Sequence, residues 1–559
     1  MEATQLTDPV GVASAPARAA ELAAAAQGTR ATVDHDSRDW PRPGLTGLHL
    51  ATVWILSAVC CAPAAANYAP VVSNVNASQN QITSVIDVYY DVVDMDGDIL
   101  VVSAEASDDG GVTFDIPVTS VAGDIGYGIV SGTSKHFVWD AGMDYPGFLG
   151  PDYVVRVTAC DPAASTIRVD LNGGGDYLTI REGIEAAQEG DVIVVAPGTY
   201  VGPDNRDLDF GGKNITVRSE LGREDTVIDC QYEGRAFNFH SGEDESSVVQ
   251  GFTITRGVAI SPNLGCGINC YNSSPTIMDC TFSYAEGDIC AGYGVSYSSS
   301  SASIANCEFH HNNLSGTYGG GGGIAAAYSS VVIADCSFHD NVVAFGGGVS
   351  FQDAIATVTG CSFVDNSHHG GDGRGGAISS QNSCTLTIRD CTFTDNSNGS
   401  SGGAADFYDT QVTMENCVFT GNRVIEYDNF GGALYFGQSP GSITNCTFSD
   451  NASNYGGAVC IGWDSAVTIT NSIIAFSSSG EGVYCSDDDD HIVHCCIYGN
   501  AGGGTSWCDT EDTMELNPRF CDRSHGDFTL CSNSPCLPGA GNPVLIGALG
   551  EGCGPCAKK

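Results

Sequence analysis

The stretch DMDGD, residues 94–98, sets three carboxylates at alternate positions. Asp94, Asp96 and Asp98 offer the hard oxygen ligands that calcium takes. Glu105 falls where an EF-hand loop places its last ligand, but Ile99 occupies the position that needs glycine, and the flanks read as strands. The tract is a candidate calcium cluster outside the EF-hand class, with a bare polar hairpin turn as the plainer alternative. A second tract, SHHGGDGRGG (367–376), mixes His368, His369, Asp372 and Arg374. Such groups can move protons and stabilise charge, yet they fall in a variable turn where polar residues need no special reason. A third, CGPC (553–556), is identical to a thioredoxin-type redox motif. That chemistry needs a strand before it and a helix after it to lower the thiol pKa. Only AKK follows, so a structural loop or disulfide is expected. The acidic run 487–490 is expected to be a solvated loop. No catalytic and no cofactor-binding residue is assigned.

Composition narrows the partners. The chain has 559 residues, with 67 acidic side chains against 21 basic ones, a formal net charge of −46. Its only lysines are Lys135, Lys213, Lys558 and Lys559. Nucleic acid is excluded as a partner, because phosphate binding runs on clustered Lys and Arg. An acidic polysaccharide is disfavoured unless cations bridge it. Residues 45–66, LTGLHLATVWILSAVCCAPAAA, form an apolar run ending in an A-x-A cleavage pattern. Export with cleavage after Ala66 is expected, the Ala-rich segment before the run being either an over-long gene start, the favoured reading, or an unusually long n-region. No other run reaches the length of a membrane span. The mature chain is therefore expected to be soluble, secreted or at the cell surface, and monomeric. Removing Cys60 and Cys61 from the 25 cysteines leaves an odd number, so at least one thiol stays unpaired.

A repeat dominates the rest. Cys-x-Phe-x-x-Asn followed by Gly-Gly recurs every 23–30 residues, anchored at Phe252, Cys280, Cys307, Cys336, Cys361, Cys391, Cys417, Cys446, Ser472 and Cys495. An apolar residue precedes each anchor by three: Val249, Ile277, Ile304, Ile333, Val358, Ile388, Met414, Ile443, Ile469 and Ile492. A separation of two puts Cys and Phe on one strand face, whereas a separation of three demands a bend. The bend position holds Asp279, Asn306, Asp335, Asp390, Asn416, Asn445 and Asn471, with Gly251 and Gly360 in two more units. Those types tolerate a left-handed backbone. Asn312, Asn341, Asn366, Asn396, Asn422, Asn451 and Asn500 mark a second turn, and Gly-Gly-aliphatic opens another strand. Each unit thus carries about three short strands and three turns. Such a coil buries its apolar side chains only by stacking on its neighbours. A leucine-rich repeat has a similar period, but these units lack its leucines. The ladder cysteines are expected to be buried free thiols, because in-register side chains about 4.8 Å apart miss the Cβ separation of a disulfide.

The pattern resembles the repeats of polymorphic outer-membrane proteins and other secreted right-handed β-helix proteins. GGGDYLTIREGIEAAQEGDVIVVAPGTY (173–200) is similar to the opening motif of pectin-lyase-like β-helices, also found in pectin methylesterases. Together these resemblances imply an all-β fold, a right-handed parallel β-helix, over roughly residues 165–552. Within the opening motif, Ile180, Ile184 and Ala187 make one apolar helix face suited to capping the first coil. The methylesterase resemblance ends there: no DFI or LGRPW-like stretch follows, and polygalacturonase-type NTD and GHG are missing. Residues 67–162 alternate with period two and are similar to immunoglobulin-like or fibronectin-like modules. The expected organisation is 1–66 extension and signal peptide, 67–162 small antiparallel β-sandwich, 163–520 parallel β-helix with its capping helix, and 521–559 closing segment. In that tail, Cys521, Cys531 and Cys536 sit in loops where disulfides are plausible.

Three functions fit: a non-catalytic rod presenting a face for adhesion or glycan binding, a polysaccharide lyase or hydrolase, and a structural spacer. Fold alone does not choose. Outward aromatic and acidic residues recurring on one strand would favour binding or catalysis. The register of that strand is open, since GGALYF could bury Leu434 and Phe436 or Ala433 and Tyr435.

Overall fold

The computed structural model describes residues 70–556, apart from 80–84, 95–99, 109–113, 115, 146–153, 161–164, 260–264, 288–291, 315–319, 344–345, 369–373, 426–428, 488 and 540–541. The signal-like stretch 45–66 and the carboxylates Asp96 and Asp98 lie outside the described residues.

Two small antiparallel sheets come first. One holds the strands Val71–Gln79, Val85–Val93, Gly132–Asp140 and Val121–Gly123; the other is built on Leu100–Ser107. Alternating side chains from both sheets, among them Val88, Tyr90, Val102, Phe137 and Trp139, fill the core between them. Asp144 ties a connection down by accepting from the Ser120 amide at 2.8 Å and Trp139 Nε1 at 2.9 Å.

From Thr166 onward the chain coils into three parallel sheets of 14, 12 and 11 strands among the described residues. The first sheet carries the apolar residue of each unit, the second the Cys-x-Phe strand, and the third the strand after Gly-Gly. One continuous apolar core runs from Val169 to Ile497. The helix Ile180–Ala186 starts on a capping box between Thr179 and Glu182 and buries Ile180 and Ile184. Lys213 Nζ donates to the carbonyls of Ile184 at 2.7 Å and Ala187 at 2.9 Å, satisfying the helix's C-terminal end.

The bends are left-handed as the residue types demand: Asp279, Asn306, Asp335, Asp390, Asn416, Asn445 and Asn471 all have φ between 48° and 56°. Between the bends, identical side chains stack. Rings of Phe282, Phe309, Phe338, Phe363, Phe393, Phe419 and Phe448 lie parallel with centroids 4.5–4.8 Å apart. From Asn312 to Asn422 each ladder asparagine donates Nδ2 to the Oδ1 of its successor, as Asn366 does to Asn396 at 3.1 Å, and to a phenylalanine carbonyl one coil back. Gly-Gly has a steric cause. A Cβ on Gly347 would sit 2.2 Å from the Gly376 carbonyl oxygen, and one on Gly348 would sit 2.8 Å from the Phe363 ring.

Cys336, Cys361, Cys391, Cys417 and Cys446 are buried free thiols. A disulfide does join neighbouring coils at the far end, Cys485–Cys508, with Cα atoms 5.1 Å apart. There Trp507 (φ 65°) is left-handed and Cys508 stands one residue out of register, which brings the pair into range. In the tail Cys521 pairs with Cys553 and Cys531 with Cys556, so CGPC forms no internal disulfide; Cys536 is a buried free thiol. The acidic run is corrected in one respect: Asp490 is fully buried, not solvated. Its Oδ1 accepts the Val467 amide at 3.0 Å. In the strand register it stands opposite Val467, two residues past the Ser439–Ser465 column, whose hydroxyls accept amide bonds of the same kind.

Candidate functional site

The third sheet settles the open register. Leu434 and Phe436 point into the core and Tyr435 points outward. Strand pairing then aligns Ser379, Asp406, Tyr435, Cys460 and Tyr484 in one outward column along five successive coils. A second column, Arg374, Ser401, Phe430 and Tyr455, is bridged coil to coil just before the glycine turn. In all four coils the following glycine is left-handed, Gly375 (φ 63°), Gly402 (φ 64°), Gly431 (φ 65°) and Gly456 (φ 62°), folding this column beside the first.

Asp406 lies between them with 1% of its surface exposed. Ser401 Oγ donates to its Oδ2, while its Oδ1 has no hydrogen-bond partner. Burial pushes the carboxyl up to about 6, against the pull of the Ser401 hydrogen bond and the Arg374 charge. The Arg374 guanidinium stacks on the Tyr408 ring, 4.6 Å from its centroid. Burial, and then the Asp406 charge, pushes the Tyr435 hydroxyl up to about 12. Phe430 packs on Tyr455 at 5.3 Å, and Tyr455 meets Tyr484 edge-on at 5.4 Å. The result is a strip of aromatic rings with one guanidinium and one buried carboxyl at one end. Rings of this kind offer apolar faces, and the two polar groups offer directional hydrogen bonds.

Of the residues singled out by type, Arg374 belongs to this strip. His368 is buried nearby with Nδ1 2.7 Å from the Val343 carbonyl oxygen, and His369 and Asp372 lie outside the described residues. Asp94 is buried, its amide donating to Ser131 Oγ at 2.7 Å. Sequence reasoning missed Asp406, Tyr408 and Tyr435. The signal was the acidic residue in AADFYD at the place where neighbouring units put Ser379 or Tyr435, readable only once the register is known. A larger groove of about 550 Å³ lies along the first bend, lined by Arg218, Arg223 and Asp279 among others. Its Arg223 is engaged by the Asn306 carbonyl at 3.0 Å.

The coil geometry defines the class: this is a right-handed parallel β-helix protein, and residues 244–419 match the family described as right handed beta helix region. No curated protein matches the chain. Among solved structures, similarity extends to a pectate lyase, Pel9A, at 13% identity over 70% of this chain and 97% of that one, with a TM-score of 0.37. A pectin methylesterase from carrot is similar at 12% identity, covering 64% of this chain and 90% of its own, with a TM-score of 0.21. Both scores fall below 0.5, so no residue role is transferred from either.

Proposed function

We propose that the rod is a secreted or cell-surface glycan-binding protein, and that it holds a neutral sugar chain along the outward face of the third sheet. The observation that carries this reading is the alignment of Tyr435 and Tyr484 with Asp406 in one column, flanked by Tyr455, Tyr408 and Arg374. Partly exposed rings spaced by whole coils, with Tyr455 the most open at 40%, suit the apolar faces of successive sugars. The Arg374 guanidinium supplies hydrogen bonds to hydroxyls, with Asp406 buried beneath it. A net charge of −46 turns away anionic chains, which favours neutral ones. Binding is tested by a glycan array on the mature chain, followed by calorimetry with Tyr435→Ala and Tyr455→Ala. Loss of at least about tenfold in affinity, roughly 1.4 kcal/mol, is expected for each. Unchanged binding in both variants would remove the strip from the reading. Export is tested by the N-terminus of secreted protein, expected at or near Asn67.

A second reading, cleavage of the bound glycan, rests on one feature: a carboxyl poised near 6 can give and take a proton at neutral pH. A reducing-sugar assay separates the two. Binding without turnover is expected; turnover abolished by Asp406→Asn would promote the enzymatic reading.

A further inference from the structure

On the second sheet the strands Glu308–His310 and Ser337–His339 pair in register, so that His310 stacks on His339 with ring centroids 5.0 Å apart. The next residue in each coil, His311 (φ 54°) and Asp340 (φ 55°), turns left-handed and leaves the strand on the same side. Donor atoms of His311, His339 and Asp340 all lie within 4.8 Å of one another. Of the three, His311 and Asp340 line a groove of about 420 Å³ together with Tyr284, Asn313 and Asp365. His339 faces a carboxylate with each ring nitrogen: Nε2 is 3.1 Å from Glu308 Oε1 and Nδ1 is 2.9 Å from Asp340 Oδ2. A neutral imidazole donates only one proton. With Nε2–H given to Glu308, the Nδ1 lone pair confronts a carboxylate lone pair, so either a second ring proton or a metal cation must stand between them.

We propose that His311, His339 and Asp340 bind a divalent transition-metal ion of the zinc type. Two imidazoles and one carboxylate are a borderline donor set that suits zinc and leaves a coordination position open to the groove. They do not suit calcium or magnesium, which prefer all-oxygen shells. Glu308 acts one layer out, accepting from His339 Nε2 and fixing the tautomer that turns Nδ1 toward the metal. His310 does the same for its neighbour, with Nδ1 2.9 Å from His311 Nδ1, which leaves His311 Nε2 for the ion. The other clustered donors among the described residues, Cys521, Cys531 and Cys553, are already spent in disulfides.

The test is titration of the untagged, chelator-treated full chain with Zn²⁺ against a chromophoric competitor, with Co²⁺ absorption as a geometry probe. Saturable binding that excess Ca²⁺ does not displace is expected. His311→Ala and His339→Ala should each weaken it at least about tenfold, and Glu308→Gln by about ten- to a hundredfold. His240→Ala, just past the strand Phe237–Phe239 of the third sheet, should leave it unchanged. His311 is exposed, so its substitution leaves the core intact, and a melting curve for each variant confirms the fold. Absence of saturable binding, or binding indifferent to both ligand substitutions, would leave a protonated His339 held by two carboxylates and overturn the site.

Discussion

At neutral pH the Asp406 carboxylate is a charge with almost no water around it and one oxygen unpartnered. Asp490 is its counterpart near the end of the rod, pushed up to about 7 by burial first and by Asp487 and Asp489 after it. For both, the folded carboxyl holds its proton more tightly than the unfolded one, whose value is 3.8. Their contribution to stability is therefore greatest below pH 4 and falls as pH rises through about 6 and 7. For Asp406 the rise from 3.8 to about 6 corresponds to a penalty on the order of 3 kcal/mol at pH 7. Asp406→Asn keeps an acceptor for Ser401 and removes the charge. It should raise unfolding free energy at pH 7–8 and leave it nearly unchanged at pH 4, measured by denaturant unfolding across that range. A variant equal to the parent at both pH values would show that Asp406 is not desolvated. Nothing in the residue types alone announced this: AADFYD reads as a strand end, and DDDD reads as a solvated run, because burial is set by coil position and not by local composition.

The ladders are where sequence and structure meet most closely. Asn, Asp and Gly at the bends were legible because few other residues accept φ near +55°. The Cys and Phe columns were legible because a period of two fixes a face. The asparagine ladder shows how much one such column holds. Asn396 accepts the Asn366 amide and side chain, both at 3.1 Å, and donates to the Phe363 carbonyl at 2.9 Å and to Asn422 at 3.0 Å, all out of water. Asn396→Ala strands several of these groups at about 1–3 kcal/mol each. A loss of about 3 kcal/mol or more is expected by chemical denaturation, where an exposed-loop substitution would cost little. The thiol column makes a separate prediction. Burial pushes the Cys417 thiol well up, so it and its ladder neighbours should resist alkylation in native protein and react fully after unfolding without reductant. Two elements stayed illegible. The serine column at the third turn, Ser300, Ser329, Ser439 and Ser465, is lost among the many serines of the loops. The alternation of GGALYF was apolar on both faces, so Tyr435 could not be placed outward until its neighbours in the sheet were known.

Over the whole molecule, 67 acidic side chains against 21 basic ones repel one another. Folding brings those charges closer than an expanded chain would, so the repulsion opposes the native state. Its range is the Debye length, about 30 Å at 0.01 M salt and about 8 Å at 0.15 M. Ion pairs offset little of it, since most, such as Arg389 with Glu415, are at the surface and worth under about 1 kcal/mol each. Raising NaCl from 10 to 150 mM should therefore raise the melting temperature, with little further gain once screening is shorter than the spacing of the charges. Calcium adds a test that ionic strength alone does not. If Asp94, Asp96 and Asp98 hold a calcium ion, millimolar Ca²⁺ should stabilise the chain beyond a NaCl solution of equal ionic strength, by mass action on a folded-state site. Asp96→Asn with Asp98→Asn should erase that excess and leave the NaCl response intact. Equal melting temperatures in matched calcium and sodium solutions would reduce DMDGD to a polar turn, whereas an excess that survives the double substitution would move the ion to another acidic site.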